Sequence, residues 1–230
     1  PRSFTVTFYR DSSTILPSST ISKKLFLGFL LQEEILEKTG ECTITFVKLD
    51  LSQEEERDYG VILPSSLPIK SGDILDSIDG HACAGKGIMD ATSSIFERTG
   101  LITLRILRKS PGEHKNNSAS NKKTVIQQAI IVFPQNHKHR EKFDLGIDLD
   151  MVKKRRGDVL LKIKGINPLS WFSHSCLEKN DTVLSIGGNI LCPSLNLVDI
   201  ETILQKEFKC GAPFLSVTVL KPQSRVTIRK

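Results

Sequence analysis

The run SFTVTFY at residues 3–9 sets Phe4, Val6 and Phe8 against Thr5 and Thr7, the period-two alternation of a strand with one apolar face. FLLQEEI and CTITFVKL, separated by a turn containing EKTG, read as a hairpin-like pair of strands. VILPSSLPI predicts a short helical turn interrupted by Pro64 and Pro68. The period then changes. Met89, Thr92, Ile95 and Phe96 recur at three and four residues, predicting a helix from Ile88 to Arg98 that stops at Thr99–Gly100. A second helical stripe, Leu197, Ile200, Ile203 and Leu204, is expected to end near Lys209, ahead of Gly211 and Pro213. Alternating apolar strands follow each helix, TLRILR at 103–108 and SVTVLK at 216–221.

These elements occur in duplicate. GDILDSIDG at 72–80 returns as NDTVLSIGG at 180–188, with a constant offset of 108 residues from Asp73–Gly80 to Asp181–Gly188. A hydrophobic–Gly–hydrophobic turn lies upstream of each copy, LFLGF at 25–29 and FDLGI at 143–147. A period of about a hundred residues is that of a domain, not of a solenoid repeat. The segment SPGEHKNNSASNKK, at 110–123, contains no Val, Ile, Leu, Phe or Met. It cannot bury enough apolar surface to offset its ordering entropy, so it reads as a flexible linker. The expected division is a first domain at 1–110, a linker at 111–123, a second domain at 124–222 and a tail at 223–230. Each domain is expected to be mainly β (α+β), a five- to six-stranded open sandwich or barrel capped by two helices.

Charge is distributed unevenly. The first 110 residues carry 13 basic against 15 acidic side chains, and the remainder carries 19 against 11. Lys153, Lys154, Arg155 and Arg156 are the sharpest basic run and are candidate contacts to an anionic surface such as membrane headgroups. Nucleic acid is not expected as a partner, because the basic runs lack interleaved aromatics; Trp171 and Phe172 read instead as a helix anchor in the core. The five cysteines are odd in number and widely spaced with no CxxC, the pattern of reduced thiols in an intracellular protein; a cytoplasmic location is expected, with any membrane association made through partners. His81 with Cys83, and His174 with Cys176, fall at different places in the two copies, so no metal site and no cofactor is expected. The chain opens on Pro1, not Met, and reads as a fragment of a longer protein.

The order of strand, Gly turn, paired strands, short helix, G-D-x-[IL]-x-x-[IV]-[ND]-G turn, helix and final strand resembles the PDZ family, twice over. GDILDSIDG and FLGF at 26–29 carry the first likeness. The second departs from it: Asn180 stands for Gly before Asp181, Gly187 corresponds to Asp79, and the loop reads DLGI. The resemblance covers roughly 3–108 and 124–221. It implies a groove for the C-termini of other proteins, entered by strand addition at a sheet edge, with the terminal carboxylate held in a backbone nest. The nest amides would be those of Leu27, Gly28 and Phe29 in the first copy and Leu145, Gly146 and Ile147 in the second. Groove walls would be Phe29, Leu31, Met89, Ser93 and Phe96, and then Ile147, Leu149, Leu197, Glu201 and Leu204. Met89 and Leu197 stand where a histidine would favour a hydroxyl side chain, so a hydrophobic–x–hydrophobic terminus is implied. Glu201 would favour a basic or hydroxyl side chain in the second ligand, while Asp144 beside the second nest opposes an anion.

Two other functions compete with a scaffold. No catalytic motif or phosphate loop recurs, so the chain is not expected to be an enzyme, although it would suit a regulatory piece of a larger one. The basic second domain would alternatively serve membrane or phosphoinositide recruitment.

Overall fold

Alternation in SFTVTFY at 3–9 and a continuous apolar run, AIIVF at 129–133, together explain how the chain is organised. The computed structural model describes residues 3–10, 29–35, 41–48, 63, 66–108, 125–133, 146–153, 159–191, 196–209 and 212–222. The strands of the first half are β1 (Ser3–Arg10), β2 (Phe29–Ile35), β3 (Cys42–Lys48), β4 (Ile74–Ile78), β5 (His81–Ala82) and β6 (Gly100–Leu107), with helix α1 (Ile88–Glu97) between β5 and β6. The second half repeats the order: β7 (Ile126–Val132), β8 (Ile147–Lys153), β9 (Val159–Ile166), β10 (Thr182–Ile186), β11 (Asn189–Ile190), helix α2 (Leu197–Lys209) and β12 (Phe214–Leu220). The chain is mainly β.

All twelve strands belong to one sheet of order β2-β3-β4-β6-β1-β7-β12-β10-β9-β8, with β5 on β4 and β11 on β10. The order reads alike from either end. At its centre β1 and β7 pair in parallel, from Ser3 opposite Gln127 to Thr7 opposite Ile131, and every other pairing is antiparallel. A strand's faces alternate, so this one sheet supports two cores. Phe4, Val6 and Phe8 of β1 pack with Phe29, Phe46, Ile95 and Leu104 in one; Ala129, Ile131 and Phe133 pack with Phe172, Ile200 and Val217 in the other.

The central strands also serve each other's side of the sheet. Ile130 and Val132 of β7 are buried in the first core, so β7 is enclosed on both faces and its sequence, AIIVF at 129–133, has lost the alternation. β1 keeps threonines on its reverse face. Thr5 accepts a hydrogen bond from the Cys176 backbone amide at 3.2 Å and donates to its sulfur at 3.6 Å; Tyr9 lies 6.1 Å from Trp171, ring centre to ring centre. Trp171 and Phe172 differ from expectation. They sit in successive turns, where Ser170, Ser173 and Ser175 donate to carbonyls three residues back, so the segment does not make the i to i−4 bonds of an α-helix. Phe172 nevertheless anchors the core as expected, fully buried.

The repeated motif has a physical basis. Asp73 and Asp181 are both buried, and each accepts its own turn's amide, from Lys70 at 2.9 Å and from Glu178 at 2.8 Å. A cation after the last strand of each half balances them: Arg108 reaches Asp73 at 2.7 and 3.0 Å, and Lys221 reaches Asp181 at 2.9 Å. The preceding residues, Gly72 (φ 82°) and Asn180 (φ 73°), share the left-handed conformation, which explains the exchange between copies because Asn tolerates it best after Gly. Asp79 (φ 48°) and Gly187 (φ 58°) are exchanged on the same ground, and Asp79 additionally accepts hydrogen bonds from the Thr103 amide and Arg98.

Candidate functional site

The two ends of the sheet are the open positions. β2 pairs only with β3 and β8 only with β9 among the described residues, so each presents one unpaired edge. Such an edge is a row of backbone donors and acceptors available to an added strand. β2 runs beside α1, and the residues facing the core from β2 are Phe29 and Leu31. Phe29 is completely enclosed, its ring edge-on to Phe46 with centroids 5.8 Å apart, so it offers the edge its backbone and not its side chain. Leu31 is 6% exposed. On α1, Met89 is 56% exposed and Ser93 is exposed, its hydroxyl bonded to the Asp90 carbonyl at 3.0 Å. The Phe96 side chain lies outside the described residues, as do Leu27 and Gly28 of the expected nest.

In the second half Ile147 and Leu149 are half-buried against the second core, as is Leu204 of α2. Leu145 and the side chains of Leu197 and Glu201 fall outside the described residues. Gly146 is described and is sterically bound to be glycine. Its φ is +61°, and a Cβ there would lie 2.1 Å from Cβ of Ser170. Its carbonyl accepts the Asn167 amide at 2.8 Å, which fixes the turn entering β8. Lys153 ends β8 exposed, whereas Lys154, Arg155 and Arg156 lie outside the described residues, as does the linker.

The two halves differ where the edge strand meets the start of the helix. In the first half Oε1 of Glu33, on β2, accepts the backbone amide of Ile88 at 2.7 Å and so caps α1 from across the gap. In the second half Asn196 and Asp199 cap α2 reciprocally, at 2.9 and 3.0 Å. The residue in the register of Glu33 is Met151, which helps line an apolar pocket of about 430 Å³ with Leu161, Val183, Leu191 and Ile200. Sequence reasoning passed over Glu33. The available signal was Gly87, a helix N-cap position without a side-chain acceptor.

A larger cleft of about 620 Å³ lies where the halves meet, lined by Thr5, Ser77, Arg105, His174, Cys176 and Lys221 among others. Its cations have acidic neighbours: Arg105 lies 3.4 Å from Asp76, and Lys221 lies near Glu178 and Asp181. Burial pushes the Cys176 thiol above its ordinary range, against the opposing effects of the Thr5 hydrogen bond and the Lys221 charge. Burial likewise raises the Cys83 thiol to about 11. Both are therefore protonated, structural thiols at neutral pH. No group of three or more His, Cys, Asp or Glu side chains arranged to hold a metal occurs among the described residues.

No family model matches the sequence, and no curated protein matches it. Among solved structures, one described as a complex of INAD PDZ45 and NORPA CC-PBM is 18% identical, with 86% of this chain and 86% of that chain covered and a TM-score of 0.27. At that TM-score any functional reading has to rest on the geometry of the chain itself.

Proposed function

We propose that the chain is a protein-interaction scaffold: two PDZ-like units, at 1–110 and 124–222, that bind C-terminal peptides by adding them as strands along β2 and β8. The observation that carries this reading is the position of β2 and β8 at the two ends of the sheet, each with one edge unpaired among the described residues and each following a hydrophobic–Gly–hydrophobic run in the sequence. An added strand gains main-chain hydrogen bonds at the edge, and side-chain pockets give selectivity. The left-handed Gly146 supports a tight turn whose successive amides would face a carboxylate. Exposed Met89, at the start of α1, favours an apolar residue near the ligand's end.

A single groove of this kind would bind at about micromolar strength, and two on one chain would gain from effective concentration. The test compares peptides ending in a free apolar carboxylate with their C-terminal amides. Free peptides are expected to bind and amides to lose most of their affinity, because a terminal amide brings an NH2 donor and no charge to a nest of N–H donors, leaving buried donors unpaired. Equal binding of both forms would remove the carboxylate nest.

A further inference from the structure

The Glu33 cap gives the first groove a charge at a defined position. Oε1 is held by the Ile88 amide at 2.7 Å, and it lies 3.3 Å from where a Cβ on Gly87 would stand. The first turn of a helix needs acceptors and favours negative charge, so this hydrogen bond orients the carboxylate as well as capping the helix. Glu33 is exposed, and among the described residues Oε2 has no hydrogen bond. Asp90 in the first turn of α1 adds charge of the same sign.

Glu33 stands four residues beyond Phe29 on β2 and shares the face of Phe29 and Leu31. A strand added antiparallel to β2, with its C-terminal residue opposite Phe29 as the peptide-binding reading has it, places the residue four before its terminus opposite Glu33. Directly opposed residues in an antiparallel pair point to the same face and touch. We propose that Glu33 is a specificity-determining residue of the first groove, selecting a lysine or arginine four residues before the ligand's C-terminus. This rests on the peptide-binding reading above. The helix holds one oxygen, so a cation meeting the other orders a side chain whose entropy is already reduced. In the second groove Met151 occupies the same register, and no such preference belongs there.

The test uses the full chain and short synthetic peptides with a free apolar C-terminus, carrying Lys, Ala or Glu four residues before the end. Titrations are followed by NMR at the Leu31 and Ile88 amides, which report on the first groove alone. The wild type is expected to bind in the order Lys, Ala, Glu, with about two- to fivefold between neighbours, as for an exposed ion pair. Glu33→Gln keeps an acceptor for Ile88 but carries no charge, so it should flatten the order of the three peptides to within about twofold. Glu33→Ala should flatten the order and also displace the Ile88 amide resonance. Retention of the wild-type order in Glu33→Gln, or no discrimination by the wild type, overturns the assignment. Failure of every peptide to bind removes it together with the peptide-binding reading. Equal affinity of the free and amidated Ala peptides removes the carboxylate nest and, with it, the register that sets that residue opposite Glu33.

Discussion

The two halves solve the same structural problems with different side chains. Both bury an aspartate after a left-handed residue and both neutralise it from beyond the last strand, yet one uses Arg108 and the other Lys221. The guanidinium fork satisfies both oxygens of Asp73, while Oδ1 of Asp181 is buried with no hydrogen-bond partner among the described residues. Both start a helix beside an edge strand, but α1 is capped from that strand and α2 from its own first turn. The difference teaches where the halves are free to diverge. The duplicated backbone turns constrain conformation strictly, whereas the side chain that meets each buried group needs only the right charge and reach.

The largest expected effect separates the two buried ion pairs. Asp73→Ala and Asp181→Ala should each lose about 3–5 kcal/mol in urea unfolding, since each leaves a cation partly buried without its partner. Asp73→Ala is expected at the upper end, because it also forfeits the two-point contact with Arg108. Equal losses would show that the Arg-to-Lys exchange is energetically neutral.

The central strands come next. Ile130→Ala should cost about 2–4 kcal/mol, as for other buried large-to-small changes, with hydrogen exchange accelerated at Phe4 and Val6 across the sheet. Its counterpart on the other strand, Thr5→Val, should cost only about 1 kcal/mol, the value of the hydrogen bond to Cys176. A silent Ile130→Ala would mean that Ile130 contributes nothing to the first core.

The Cys83 thiol, raised from 9.0 to about 11, links one core to pH. The folded state binds this proton more tightly than the unfolded state. The contribution is therefore complete below about pH 9 and is lost as pH rises to about 11. Over that window the wild type should lose about 1–2 kcal/mol more stability than Cys83→Ala, whose own loss includes that of the raised Cys176 thiol, compared by denaturant unfolding at each pH.

The smallest effect concerns the caps. Asn196→Ala should cost about 1 kcal/mol and fray only the start of α2, read by amide exchange. Glu33→Ala should also loosen β2 from α1, because there a single hydrogen bond serves both elements. Fraying confined to the helix in both variants would erase the distinction between the grooves.

Much of the architecture was legible in local pattern. The alternation of Phe4, Val6 and Phe8 marks β1, and the three–four spacing marks α1 and α2, whose observed limits, Ile88–Glu97 and Leu197–Lys209, lie within a residue of expectation. Asp73 and Asp181 were visible as repeated letters but not as buried charges, since their partners lie 35 and 40 residues away. The expected groove wall was only partly legible for a similar reason: alternation identifies the face that holds Phe29, and only packing against Phe46 decides that the ring is enclosed.

What the sequence determined by itself is local: the strand and helix spans, the duplicated turn, and the positions that must be left-handed, because these depend on φ/ψ preference and on the spacing of apolar residues along one segment. Tertiary structure alone decided that β1 and β7 pair in parallel, that each cation meets its buried aspartate, and that Glu33 crosses to α1. The run AIIVF carried a trace of the first of these, since only a strand enclosed on both faces can afford to lose its polar alternation. Which strand would enclose it is a property of two surfaces meeting, and no local pattern encodes that.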